Sequence, residues 1–199
     1  NRRSSELIKI NRITGEVIWI LGGPLNDYEI INDTFGGFSK QHDARRLDNG
    51  NILLFDNGNN HEPSTSRVVE YLVDEENMMA TLVWEFSNPY EYLSVSMGSV
   101  QRLPNQSTLI NWGNISNQGA LIMEVDSSNN VVLELAFDSG SCYKVRKSDW
   151  EFNIPMLVGD PNLDGIINIL DILYQINFIL SEDPSNLFNL YKIDLNKDS

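Results

Sequence analysis

The densest group of oxygen-bearing side chains lies between residues 160 and 171, where the chain reads D-x-N-x-D-G-x-x-N-x-x-D. Calcium is a hard cation that takes about six to eight oxygen ligands, and twelve-residue loops with this spacing supply them. Gly165 stands where such a loop turns sharply, and Asp171 stands in place of the usual closing Glu. The predicted ligands, of which Ile166 would use its carbonyl and Asn168 a bridging water, are Asp160, Asn162, Asp164, Ile166, Asn168 and Asp171. The alternative is a polar turn rich in Asp and Asn.

A partial second copy of this loop follows near the last residue of the sequence. It reads D-x-N-x-D, and its predicted calcium ligands are Asp194, Asn196 and Asp198. Between the two copies, apolar residues recur at helical spacing from Ile169 to Leu180, which predicts an amphipathic helix of about three turns directly after the first loop. Residues 153–199 are therefore predicted to form a calcium module, with Ca²⁺ as the one cofactor.

A second candidate for chemistry is the run from Gln41 to Gly58, which contains His42 and Arg45. Imidazole is nucleophilic near neutral pH and can carry a transferred group. A guanidinium group binds oxyanions through paired hydrogen bonds. The sequence therefore predicts His42 as a nucleophile or transition-state stabiliser and Arg45 as a clamp for an anionic group. The alternative for His42 is a histidine that satisfies backbone groups at the edge of a sheet.

These residues have to be positioned by strands, because residues 1–152 consist of short β-branched and aromatic runs bounded by Gly, Asn and Asp. The eight clearest runs are residues 7–10, 17–20, 52–55, 68–71, 82–86, 109–112, 121–125 and 131–135. We interpret Trp19, Trp84 and Trp112, which lie in three of them, as packing residues. The sequence therefore predicts a mainly β first domain.

The strands also repeat along the chain. Residues 46–54 align with residues 102–110, and residues 5–10 resemble both 66–71 and 119–124. Four strands in about 50 residues are typical of a propeller blade, and a closed propeller needs at least about four blades. We therefore expect a partial β-propeller of about three four-stranded blades, with the missing blades N-terminal to Asn1. The alternative is a β-sandwich with chance self-similarity.

The same alignment separates repeat residues from candidate functional residues. His42 aligns with Gly98 and Arg45 with Gln101, so the repeat itself requires neither a histidine nor an arginine at these positions. Arg46 aligns with Arg102, which indicates a structural role. His61 is predicted to be a solvated loop residue.

Composition restricts the partners that this chain can have. The 199 residues contain 14 Lys+Arg against 28 Asp+Glu, a formal charge of −14. So acidic a chain is repelled by phosphate backbones and anionic lipids, which argues against nucleic acid and membrane surfaces as partners. Its apolar runs are too short to span a bilayer. Cys142 is the single cysteine, so no intrachain disulfide can form. The chain begins at Asn1 without a signal-peptide pattern, so we expect a processed protein or a piece of a longer one.

The run 41–58, together with residues 97–104 and 109–113, resembles the arylsulfotransferase propeller family, and the likeness covers nearly all of residues 4–152. The resemblance implies an exported six-bladed propeller. It implies transfer of a sulfuryl group from an aryl sulfate to a phenol through a sulfated histidine, without a nucleotide cofactor. His42 would then be the nucleophile and Arg45 the sulfate clamp, while further histidines would come from blades outside this sequence. A non-catalytic extracellular propeller with a structural or binding role is the alternative.

Residues 159–199 resemble a type I dockerin whose second repeat is truncated. The resemblance implies an EF-hand-like helical module that folds with Ca²⁺ and docks onto a cohesin-like domain. Dockerins usually carry small polar residues where this chain has Ile169 and Leu170, so assembly with the rest of its own protein is the alternative. Together the two resemblances imply an extracellular, cell-surface or periplasmic location.

Overall fold

The computed structural model describes residues 1–148, 159–161 and 165–181. The chain divides into two compact units, residues 1–148 and residues 149–199. Within the described residues, all strands belong to the first unit, and the second unit contains one helix, α1 (Ile169–Ser181). The protein is therefore mainly β. None of the described helices is long and apolar enough to cross a membrane.

The strands of the first unit form a hairpin, a five-stranded sheet and a four-stranded sheet. In chain order the strands are β1 (Leu7–Ile10), β2 (Val17–Leu21), β3 (Glu29–Ile31), β4 (His42–Arg46), β5 (Ile52–Asp56), β6 (Arg67–Asp74), β7 (Met79–Ser87), β8 (Ser99–Arg102), β9 (Thr108–Trp112), β10 (Leu121–Val125) and β11 (Val131–Ala136). The hairpin is β1–β2, and the sheet orders are β3-β7-β6-β5-β4 and β11-β10-β9-β8. Only β3, which runs parallel to β7, departs from antiparallel pairing among these strands.

All eight predicted runs are strands, and the predicted helix is present as α1. The repeat is visible in the strands as well, because β4–β7 and β8–β11 are both four-stranded meanders, and β5 and β9 occupy aligned positions. The predicted runs did not include the three shortest or most polar strands, β3, β4 and β8. In β4 the sequence is His-Asp-Ala-Arg-Arg, which lacks the β-branched residues on which the predictions rested.

The core of the first unit lies on both faces of the five-stranded sheet. From β5, Leu53 and Phe55 pack against the four-stranded sheet, whereas Ile52 and Leu54 pack in the cluster that contains Trp19 and Leu21 of the hairpin. Successive side chains of a strand point to opposite faces, so a strand covered on both sides reads as a continuous apolar run. Full burial of one such side chain contributes about 1.5–3 kcal/mol. This packing holds the polar strand β4 at the edge of its sheet, next to a well-packed β5.

Candidate functional site

His42 is the first residue of β4, the edge strand next to β5 in the five-stranded sheet. It pairs with Phe55, and the register shifts between His42 and Arg45. Asp43, within this shift, has φ +51°, a left-handed conformation that Asp tolerates better than most residues. Such irregularities re-aim side chains at strand edges. The irregularity therefore sets the directions of the two neighbouring polar side chains, His42 and Asp43.

Asn57 determines which nitrogen of His42 carries the proton. The Asn57 side-chain nitrogen donates to the carbonyls of Ser94 and Met97, at 2.6 and 3.0 Å. Carbonyls only accept hydrogen bonds, so the amide oxygen of Asn57 has to be the atom that lies 2.5 Å from His42 Nδ1. An amide oxygen also only accepts, and therefore Nδ1 is the protonated, donating nitrogen. In the neutral ring, Nε2 keeps its lone pair.

The environment also favours the neutral ring. Partial burial lowers the pKa of His42, and the positive charge of Arg2 lowers it further. The hydrogen bond with Asn57, the negative charge of Asp43 and a hydrogen bond with the Lys40 backbone oppose these effects. The net result is a pKa below the ordinary histidine value. At neutral pH the imidazole is therefore uncharged, which is the state in which it can act as a nucleophile.

The carboxylate of Asp43, the residue after His42, forms ion pairs with three cationic side chains. One carboxylate oxygen lies 3.3 Å from Arg45 and 3.0 Å from Lys144. The other oxygen lies 2.5 Å from Arg146 and accepts a hydrogen bond from the Val100 backbone nitrogen at 3.0 Å. Burial raises the pKa of Asp43, but the hydrogen bonds from Arg146, the Val100 backbone nitrogen and Lys144 outweigh it and hold the pKa below its usual range. One negative charge thus faces three positive ones.

Packing against Phe55 explains why the second meander has no histidine at the position aligned with His42. At the aligned position, Gly98 has φ +110°, and a Cβ there would lie 2.5 Å from the ring of Phe55. A side chain of any size is excluded at this point of the second meander. The histidine therefore does not result from the repeated packing of the strands.

A second charged cluster lies around Arg67, which is 1% exposed. Its guanidinium donates to Asp33 at 2.9 Å, to Asp56 at 3.1 Å and to Glu85 at 2.8 Å. Tyr71 donates its hydroxyl to Asp33. Burial opposes the charge of Arg67, but Asp56, Tyr71 and Asp33 raise its pKa above the ordinary value. The cluster is a paired, internal ion network.

The prediction for His61 was wrong, because this histidine is buried in the same network. Its Nε2 lies 2.7 Å from a carboxylate oxygen of Asp56, and its ring stacks on Phe35 with centroids 4.4 Å apart. The loop residues around it suggested a solvated position. Asp56, however, ends a buried strand and needs donors, and His61 and Arg67 both reach it. The sequence alone could not show that a loop histidine turns inward to a strand end.

The other residues singled out from the sequence have packing roles. Arg46 pairs with Glu75 at 2.6 Å, and Arg102 pairs with Glu70 at 2.6 Å while lying over Trp84 at 4.6 Å. Trp19 and Trp112 lie in the two main clusters of the core. Of the predicted catalytic pair, Arg45 lies on the same strand as His42 but contacts Asp43. Four members of the site were not predicted, namely Asp43, Asn57, Lys144 and Arg146. Local sequence does not indicate which way Asp43 and Asn57 point, or that Asp43 contacts Arg146, 103 positions further along the chain.

The predicted calcium loop is described in part. Asp160 accepts a hydrogen bond at 2.9 Å from the backbone nitrogen of Gly165, whose φ is +82°. One carboxylate oxygen of Asp171 accepts from the Asn168 backbone nitrogen at 2.7 Å. The other is buried and has no hydrogen-bond partner among the described residues. Asn168 accepts from the Leu170 backbone nitrogen at 2.7 Å. The predicted ligands outside the described residues are Asn162, Asp164, Asp194, Asn196 and Asp198.

The described donors of this loop do not complete a ligand set by themselves. Among the described residues, no group of three or more His, Cys, Asp or Glu side chains could hold a metal ion. The turn at Gly165 and the buried oxygen of Asp171, which no described residue contacts by a hydrogen bond, nevertheless fit a loop whose carboxylates face a cation. Calcium binding therefore stays a prediction.

Comparison with known proteins identifies the β unit. The model of the arylsulfotransferase (ASST) family matches residues 1–138, a region that contains His42, Asp43, Arg45 and Asn57. No match was found among curated proteins. Since the matched region covers more than half of the 199 residues, the chain belongs to the arylsulfotransferase family, which supports a sulfotransferase-like function.

Proposed function

We propose that this chain transfers a sulfuryl group from an aryl sulfate to a phenol, with Nε2 of His42 as the nucleophile. The observation that carries the proposal is the fixed tautomer, because Asn57 holds the proton on Nδ1 and leaves the Nε2 lone pair free. The lowered pKa of His42 supports it, since the ring stays neutral under ordinary conditions.

The proposed reaction has two transfer steps, and each forms one bond to sulfur as another bond to sulfur breaks. The Nε2 lone pair forms a bond to sulfur as the bond from sulfur to the aryl oxygen breaks, and the aryl oxide leaves with that electron pair. In the sulfated imidazole, Nδ1 keeps its proton and donates it in the hydrogen bond to the Asn57 amide oxygen. The oxygen of the acceptor phenol then attacks sulfur, the nitrogen–sulfur bond breaks, and the phenol proton is released to the departed aryl oxide or to water. His42 returns to its starting state.

We also propose that the β unit is part of a six-bladed propeller. Its two four-stranded meanders and the β1–β2 hairpin would be parts of about three blades. Supporting features are the aligned strands of the two meanders and the face-to-face packing on both sides of the central sheet. His42 would then stand at the start of an inner strand, where blades of a propeller line a channel.

The decisive experiment compares the wild-type chain with His42→Ala. With 4-nitrophenyl sulfate as donor and phenol as acceptor, we expect turnover to fall by on the order of 10³-fold or more, as is usual when a nucleophile is removed. Mass spectrometry of wild type mixed with donor alone should detect a sulfated peptide containing His42, absent from the variant. Unchanged turnover in His42→Ala would remove this histidine from the mechanism. Sulfate binding without any transfer by the wild type would favour the non-catalytic binding propeller.

For the second unit, we propose a dockerin-like module that binds Ca²⁺ through the loop 160–171 and serves assembly, with a cohesin-like domain or with the rest of its own protein. Two features support the site: a buried carboxylate oxygen of Asp171 without a hydrogen-bond partner in the described part of the chain, and the hydrogen bond from the Gly165 backbone nitrogen to Asp160. Chelation with EDTA should lower the melting temperature, and added Ca²⁺ should restore it. Asp171→Asn should abolish the calcium response, whereas Asp126→Asn, in a turn of the β unit, should keep it. A melting temperature indifferent to Ca²⁺ would contradict the proposal.

The same proposal includes export, to the cell surface, the medium or the periplasm. The single cysteine is compatible with it, since such a protein would depend on Ca²⁺ and packing instead of disulfides. Fractionation of the producing cells, with immunodetection of the chain in each fraction, tests this location. Recovery only with the cytosolic fraction would contradict it.

A further inference from the structure

We infer that Lys144, together with Arg45, forms the binding site for the sulfate group of the donor, and that Asp43 and Arg146 hold these two cations in place. The inference rests on the proposed function, because it names the substrate contacts of that same site. Lys144 and Arg146 lie beyond residue 138, where the match to the family model ends. The family match therefore does not assign them.

The segment that carries these cations is anchored along β8. The Val145 backbone nitrogen donates to Ser99 at 3.0 Å, and Lys147 and Gln101 exchange two hydrogen bonds at 2.8 and 2.9 Å. Val145 packs against the small apolar cluster of Leu103, Leu109 and Ile122. An extended segment alternates its side chains. Lys144 and Arg146 consequently point to the other side, where both reach Asp43.

The three cations around Asp43 differ in how many of their hydrogen-bond donors are already used within the protein. Arg146 bonds Asp43 and also donates to the carbonyls of Val100 and Val145, at 3.3 and 2.9 Å, so its donors are largely used within the protein. The side chains of Arg45 and Lys144 have no hydrogen-bond or ion-pair partner other than Asp43 among the described residues. Their side chains are 46% and 41% exposed. Two partly exposed cations with spare donors therefore flank Asp43, the residue that follows His42 in the chain.

The charge balance makes this an anion site. Three of the 14 cationic side chains of a chain with net charge −14 converge on one carboxylate. Asp43 neutralises one of them, which leaves two positive charges in a strongly acidic protein. A sulfate ester is an anion that only accepts hydrogen bonds, so ammonium and guanidinium donors suit it. Both cations contact Asp43, which directly follows the proposed nucleophile, His42, in the chain.

The test measures donor binding apart from transfer. In the His42→Ala background, where no transfer occurs, calorimetry gives the Kd of 4-nitrophenyl sulfate for the full chain. We expect Lys144→Gln to raise this Kd about tenfold, the usual effect of losing one charge-assisted contact. Arg45→Gln should act in the same direction. Lys147→Gln is the matched control, because Lys147 lies on the same segment but pairs with Glu124 at 2.8 Å. The Kd of the donor for this variant should stay within about twofold of the value without the substitution.

Competition experiments identify which part of the donor, the sulfate group or the aryl ring, is bound. Inorganic sulfate should compete with the donor, and 4-nitrophenol should not. Lys144→Arg should restore most of the affinity, and thermal melts of each variant confirm that it is folded. If Lys144→Gln and Arg45→Gln both bind the donor like the wild type, the inference is overturned, even where transfer by the wild type succeeds. If the wild type binds sulfate through Lys144 but transfers nothing, the inference stands and the proposed function fails.

Discussion

Two charged clusters of the same β unit have opposite compositions. Around Arg67, one buried cation pairs with three carboxylates, of which Asp33 and Asp56 are buried and Glu85 is half exposed. Each guanidinium nitrogen has a partner. Around Asp43, one carboxylate serves three cations, two of which are exposed and have spare donors. The first arrangement is closed, so removal of one of its charges leaves the others buried without a partner. The second is open, so its charges remain available to a ligand. The difference shows that a cluster of paired charges indicates a binding site only where the pairing is incomplete.

The largest expected effect comes from opening the closed cluster. Arg67→Met leaves Asp33 and Asp56 buried without their cation, and breaking a buried pair in this way costs about 3–5 kcal/mol in the free energy of unfolding. Urea denaturation followed by circular dichroism measures it. Arg46→Met, which removes an exposed pair with Glu75, should cost less than about 1 kcal/mol. Equal costs for the two variants would remove the distinction between the clusters.

A smaller effect is expected when the tautomer of His42 is released. In Asn57→Ala the proton can move to Nε2, so we expect turnover to fall about 10²-fold, less than the roughly 10⁴-fold loss known for a charged histidine partner. Nitrogen NMR of the imidazole distinguishes this effect from unfolding. The wild type should carry the proton on Nδ1, and the variant should show a mixture. An Nε2-protonated ring in the wild type would contradict the assignment.

The pH dependence should reveal the depressed pKa of His42. Protonation removes the Nε2 lone pair, so kcat/KM should persist below the ordinary histidine pKa of about 6.5 and fall only as pH drops through the lower value in the folded protein. Stability should decrease between about pH 6.5 and this lower pKa, because in that range the unfolded chain binds the proton more readily than the folded one. Rate profiles and thermal melts from pH 4 to pH 8 measure both. An acid limb above pH 6.5 would contradict the burial effect.

The smallest change in the free energy of unfolding is expected at the solvent-exposed ion pairs of Glu75 with Lys9 and Arg46. Glu75 accepts hydrogen bonds from Lys9 at 2.5 Å and from Arg46 at 2.6 Å, and these bonds lower its pKa to about 2. Its contribution is present above the unfolded pKa of about 4.5 and is lost as pH falls toward 2. All three side chains are at least 30% exposed, so Glu75→Gln should cost less than about 1 kcal/mol at pH 7. A loss comparable to that of Arg67→Met would show that exposure does not separate the two kinds of cluster.

Much of the architecture could be read from local patterns. Short apolar runs bounded by turn-forming residues predicted β5, β9 and β10, and helical spacing predicted α1. The alignment that left His42 opposite Gly98 indicated correctly that the repeat does not require a histidine, and the clash with Phe55 gives the reason. The polar strands β4 and β8 escaped because strand propensity is partly a measure of burial, and their edge positions are decided by neighbours.

By itself, then, the sequence determined the strand periodicity, the repeat, the mainly β class and His42 as a residue outside the repeat. Only the tertiary structure decided which charges meet. Asp43 and Arg146 are 103 positions apart, and Asn57 and Met97 are 40 apart, yet each pair is in contact. The physical reason is that periodicity is a property of neighbouring residues, whereas a hydrogen bond or an ion pair requires two distant segments to be placed within about 3 Å by the packing of whole sheets.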